Sequence, residues 1–173
     1  MKNALKNKNK NLKLTPSGFT LIELLAVVVI LAILVTVSVP AVIKYLGTAR
    51  KGTYSTNALN SIDAVKNDYL INGYTSEKKY SLDNVNALLD KKLVKSPYSS
   101  AYDASSYITA KTTVVTDERG VETTNVEYSI CLVDAEGNAI GTYDSTTKKL
   151  TAIVEADIND TVIQNVGAGT KCE

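Results

Sequence analysis

Histidine and tryptophan are both absent from this chain of 173 residues. The missing histidine removes the commonest general base, the commonest metal ligand and every Ser-His or Cys-His nucleophile arrangement. Asp, Glu, Lys and Tyr could still carry catalysis, but no constellation of them suggests a site. The expectation is therefore not an enzyme, with no cofactor and no resident metal. Net charge is nearly absent too: 19 basic side chains against 18 acidic ones, +1 at pH 7. That balance gives no electrostatic reason to expect nucleic acid as a partner. Acids are missing altogether from residues 1–18, which carry Lys2, Lys6, Lys8, Lys10 and Lys13. The rest of the chain holds 14 basic and 18 acidic side chains, near −4. A basic end, an apolar run and a mildly acidic remainder form a targeting pattern.

What is present is, first, the apolar run. Phe19 to Val39 is 21 residues with Glu23 as its one charge. A helix of that length spans about 31 Å, close to the hydrocarbon thickness of a bilayer. Its many valines and isoleucines would favour a strand in water. In lipid a lone strand leaves its backbone groups unsatisfied, so a helix is expected. The preceding lysines should stay in the cytoplasm and send the C-terminal part outside. A secretory signal peptide, with a small-residue cleavage site at Val39-Pro40-Ala41, fits the basic start but leaves Glu23 unexplained. A plain signal anchor leaves Glu23 as an accident near the interface.

A third reading accounts for the acid. Gly18-Phe19-Thr20-Leu21-Ile22-Glu23, with lysines before it and an unbroken apolar stretch after it, resembles the N-terminus of type IV pilins and their relatives. The resemblance covers about 25 residues. It implies that a prepilin peptidase cuts between Gly18 and Phe19 and methylates the new amine on Phe19. It also implies that Glu23, fifth in the mature chain, receives the amine of a neighbouring subunit during assembly. Pro40 falls where the long first helix of the family often has a proline, and would kink it. The implied domains are a leader (1–18), a membrane-spanning half-helix (19–40) and an external head (41–173). The implied partners are copies of itself, the peptidase, and an assembly ATPase and platform protein. The implied location is the bacterial membrane for the precursor and an extracellular filament afterwards, serving adhesion, aggregation or motility. The alternatives are a pseudopilin of a secretion or competence system, and an anchored surface domain that does not polymerise.

The helix is expected to continue beyond the membrane along Leu46, Ala49, Thr53, Thr56, Leu59, Ile62, Val65 (or Lys66) and Tyr69, and to end at Asn72-Gly73. If unbroken from Phe19 to Asn72 it would be about 80 Å long. Thr36 or Ser38 is expected to satisfy the carbonyl that Pro40 frees. Ser81 to Val94 reads as a second helix with Ser81 as N-cap and Lys91 and Lys92 in its last turn. The following KSPYSSAYDASSY reads as a solvated loop. YITAKTTVVT, NVEYSICLV, AIGTY and LTAIVE then read as four strands, broken by the turns DERG, DAEGN and DSTTKK. The fold class is α+β: a long helix packed on a four-stranded antiparallel meander, the pilin fold.

Three smaller signals complete the chain. Asp134-Ala135-Glu136-Gly137-Asn138 clusters oxygen ligands, but its glycine is misplaced for a calcium loop, and a hairpin turn is expected instead. Asn159-Asp160-Thr161 matches a glycosylation sequon at chance level. Cys131 and Cys172 read either as a disulfide in an exported domain or as two free buried thiols. The family resemblance implies the disulfide, closing the last loop.

Overall fold

The structure is a computed structural model that describes residues 18–173. Apart from Gly18, the expected leader and its lysines lie outside the described residues. The chain divides between Val42 and Ile43 into two compact units. One helix, α1 (Leu21–Ile71), contributes to both.

In the first unit the apolar side chains are exposed all round the helix: Val27, Ile30 and Leu34 are each more than half exposed. This stretch is long and apolar enough to cross a membrane. Helix prevails over the β preference of its valines because each interior backbone group is bonded within the segment. The helix continues unbroken through Pro40. Proline lacks an N–H, so the carbonyl of Thr36 loses its partner. The expected rescue takes another form: Thr36 Oγ1 donates to Ala32 O (3.2 Å) and Ile33 O (2.7 Å), and Ser38 Oγ to Leu34 O (2.6 Å). Both hydroxyls reach back to their own preceding turn, which lies behind the carbonyl that proline frees.

In the second unit α1 ends at the expected place. Gly73 adopts φ +63°, Gly73 N donates to Leu70 O and Tyr74 N to Tyr69 O. This pair of bonds ties off the last carbonyls, and glycine tolerates the left-handed backbone that they require. The buried face differs from the expected stripe. It runs Tyr54, Ala58, Ile62, Val65 and Tyr69, whereas Thr53, Thr56 and Leu59 are exposed. Tyr54 outcompetes Thr53 because its ring packs edge-on to Tyr102 at 5.5 Å and its hydroxyl donates to Asn138 O at 2.8 Å. A large aromatic with a satisfied polar tip has much more area to bury than a threonine.

This face packs on an antiparallel sheet with strand order β1-β2-β3-β4-β8. The strands are β1 (Lys78–Ser81), β2 (Tyr107–Thr116), β3 (Glu122–Val133), β4 (Asn138–Ile140) and β8 (Gln164–Asn165). The short β7 (Ile153–Val154) adds to β3, while β5 (Thr142–Asp144) and β6 (Lys149–Thr151) form a separate ribbon. The α+β class and antiparallel sheet hold; the four-strand count does not. AIGTY splits at Gly141, where a Cβ would lie 2.7 Å from Thr151 O. LTAIVE splits at Ala152, between β6 and β7. KKYS and QN are too short and polar to show strand alternation in sequence.

Alternation along β3 builds two cores. Tyr128, Ile130 and Leu132 join the helix face with Ile108, Tyr80 and Val85. Cys131 and Val133 point the other way, to Tyr107, Ala139 and Leu150. The second helix, α2 (Leu82–Leu88), begins as expected at Ser81, which exchanges bonds with Asn84 in a capping box. It stops at Leu88, short of Lys91 and Lys92, because the chain turns extended at Leu89 and Asn86 Oδ1 takes the N–H of Leu93 at 2.6 Å. The Ser/Tyr-rich segment is not simply solvated. Ser96, Tyr102, Ser106 and Tyr107 are buried.

Candidate functional site: the start of the long helix

Gly18, Phe19 and Thr20 precede α1 in non-helical backbone, and all three are exposed. Phe19 is 87 % exposed. Among the described residues nothing lies within 4 Å of where a Gly18 side chain would begin. No described neighbour therefore demands glycine at this position.

Thr20 and Glu23 form a capping box. Thr20 N and Thr20 Oγ1 donate to Glu23 Oε2 at 2.8 and 2.9 Å, and Glu23 N donates back to Thr20 Oγ1 at 3.3 Å. The first turn of a helix has unpartnered N–H groups, and this reciprocal pair satisfies two of them. The positive end of the helix dipole also favours a carboxylate there. Sequence reasoning missed the cap, although the signal was in plain view: Thr-x-x-Glu immediately before an apolar run. Both threonine bonds fall on Oε2, while Oε1 accepts none among the described residues. One oxygen therefore remains for a further donor.

Residues 16–39 match the prokaryotic N-terminal methylation motif. The chain carries the leader signature of type IV prepilins. No curated protein and no solved structure matches the chain. In a pilin-like or pseudopilin chain this motif implies processing by a prepilin peptidase, an assembly machine to receive the product, and a membrane-anchored precursor.

The other candidate residues lie in the second unit. Cys131 and Cys172 form a disulfide with their Cα atoms 5.9 Å apart. Around it the C-terminus is clamped: Cys172 N donates to Ser105 Oγ (3.0 Å), Glu173 N to Leu150 O (3.0 Å), and Lys149 Nζ to Glu173 Oε2 (2.5 Å).

The Asp134–Asn138 cluster is a turn. Asp134 N donates to Asn138 O and Gly137 N to Asp134 O, with Gly137 at φ +82°. Asp134 Oδ1 accepts from the N–H groups of Glu136 (3.0 Å) and Asn138 (2.9 Å), and Oδ2 from Ser96 Oγ (2.6 Å) and Asn138 Nδ2 (3.0 Å). Asp117-Glu118-Arg119-Gly120-Val121 repeats the design: Asp117 Oδ1 accepts from Arg119 N and Val121 N, both at 2.9 Å. Two turns sharing one wiring argue for hairpin closure in both, and the Asp134 oxygens are already committed to protein donors. Burial pushes the Asp134 carboxyl up, but hydrogen bonds from Ser96, Ser100 and Asn138 outweigh it and hold it below the usual carboxylate range. Asn159 is exposed in a turn of its own, its Oδ1 accepting from Thr161 N at 2.9 Å.

Proposed function

We propose that this chain is the structural subunit of a type IV pilus and acts by polymerising, not by catalysis. In this reading the peptidase cuts after Gly18, Phe19 becomes the N-methylated first residue, and subunits leave the membrane to join an extracellular filament through the assembly ATPase and platform protein. The observation that carries the reading is the placement of Glu23 within the methylation motif. After cleavage the Phe19 amine would be largely protonated, its reference pKa being near 8. Amine and carboxylate would stand four residues apart, the amine just ahead of the cap and the carboxylate in the first turn. A lone carboxylate in a bilayer helix costs about 2.5–3.5 kcal/mol on insertion scales. Pairing with the amine of a neighbour removes two unsatisfied charges from an apolar setting. The open surroundings of Gly18 support the same reading: no described neighbour needs glycine there, whereas a peptidase reading that position would. Adhesion, aggregation or motility is the purpose of such a fibre.

The test is the native N-terminus together with electron microscopy of surface filaments labelled by antibody to this chain. The expected result is a start at N-methyl-Phe19, leaving 155 residues, in labelled filaments. A start at Ala41 would favour secretion. A retained leader would favour a plain anchor. A processed chain confined to short periplasmic-type assemblies would favour a pseudopilin.

A further inference from the structure

Strands β2 and β3 run on past the rest of the sheet. β1 covers the outer edge of β2 only as far as Ala110, and β7 covers β3 only at Ser129 and Ile130. From Lys111 to Glu127 the two strands pair with each other alone among the described strands, in register from Lys111↔Glu127 to Thr116↔Glu122. The result is an arm with two open edges. Its direction follows from the contacts. Tyr54 reaches Leu132 O and Asn138 O, whereas Tyr69, near the end of α1, reaches Thr112 Oγ1 at 2.7 Å. Climbing the helix therefore means moving along β2 towards the arm. From Thr112 to Asp117 the arm extends about 16 Å further. It is apolar and acidic: Val114, Val115 and Val121 are more than half exposed, and four acids face two basic residues between 111 and 127.

The opposite end of this unit has complementary chemistry. Residues 43–51 hold Lys44, Arg50 and Lys51 and no acid. Lys44, Gly47, Thr48 and Lys51 share one helix face at spacings of three and four. Gly47 has nothing within 4 Å of its missing side chain, so this face is a flat floor between two lysines. Tyr45 is exposed at its edge. Lys51 and Tyr69 are about 27 Å apart along α1, so arm and floor cannot meet within one chain.

We propose that the arm docks on the Lys44–Lys51 face of a second copy of this chain. The contact is head-to-tail: two different surfaces, one at each end. Such a heterologous contact propagates from copy to copy, into an open helical array where its rotation does not close a ring. Acidic Glu118 and Glu122 would meet Lys44 and Lys51, with Val114, on the same face of the arm as Glu122, against Tyr45. Opposed charges set the register and penalise the reverse docking. This inference rests on the filament reading above and adds the head surfaces that it would use.

Zero-length carbodiimide cross-linking of native filaments, followed by peptide mass spectrometry, tests it without any variant. Cross-links from Glu118 or Glu122 to Lys44 or Lys51 are expected between copies. Glu118→Lys with Glu122→Lys should lower filament yield about tenfold or more, since like charges would then face each other. Lys44→Glu with Lys51→Glu should do the same, and all four changes together should restore most of the yield. The total processed chain, measured by immunoblot of whole cells, should stay constant. Wild-type yield from the reversed arm, or cross-links of Lys44 and Lys51 only to acids outside the arm, would overturn the inference and leave the filament reading standing. Absence of filaments from wild-type cells would overturn both.

Discussion

The two units treat the same residue types in opposite ways. Ile30 and Val27 in the first unit are more than half exposed, whereas Ile62 and Val65, on the same helix in the second, are fully buried. The first unit is an apolar helix whose exposed side chains pack on no other described element. The second finds its partners within itself, across separations such as Tyr54 with Asn138 and Cys131 with Cys172. Damage to the second unit should therefore appear as lost stability of the isolated subunit. Damage to the first should appear only when subunits meet.

The largest stability effect is expected at the disulfide. It closes a loop of 42 residues counting both ends. The chain-entropy estimate for such a loop is about 4 kcal/mol. Cys172→Ser in the full chain, purified in detergent, should lower Tm by about 10 °C. Its membrane insertion should be unchanged. An unaltered melting curve would show that the hydrogen-bond clamp on the C-terminus suffices without the covalent link.

A smaller loss is expected at Asp134. Asp134→Ala strands Ser96 and the N–H groups of the turn, at a cost of about 3 kcal/mol in chemical denaturation. The wild-type carboxyl titrates below its ordinary value in the fold. Its contribution is therefore fully present above the unfolded pKa of about 4 and is lost as pH falls below that towards the lower folded value. The acid limb of a stability–pH profile should flatten in the variant. A profile that keeps its slope would assign acid sensitivity to other carboxylates.

The smallest effect is expected at the helix start. Thr20→Val removes the hydroxyl half of the capping box, worth about 1 kcal/mol. Filament yield should change little. A collapse as deep as that expected for loss of Glu23 would mean that capping, and not assembly, is what the acid serves.

The legibility of the sequence follows the same division. In the first unit composition decides the structure, because a helix in lipid needs only length and apolarity, and both are local. The two hairpin turns were legible for the same reason: Asp-x-x-Gly carries its own wiring. In the second unit the helix face was misplaced by one residue at Tyr54, since threonine and tyrosine compete there and the winner depends on Tyr102, 48 positions away. Edge strands β1 and β8 were invisible because their pairing, and not their own residues, makes them strands. The methylation motif was legible in full, yet the capping box inside it was passed over because Glu23 invited an explanation by charge alone.

That leaves two roles for Glu23, and glutamine separates them. Glutamine at the same helix position can still accept the Thr20 hydrogen bonds, so Glu23→Gln keeps the capping box but loses the charge. The decisive measurement is filament yield per processed subunit for Glu23→Gln, in cells lacking the wild-type chain. If Glu23 receives a neighbour's amine, each contact would bury that amine unpaired, a loss of about 3–5 kcal/mol. Processed Glu23→Gln subunit should then accumulate in the membrane while filaments fall steeply. A wild-type yield of filaments would contradict the account and leave Glu23 as a helix cap alone.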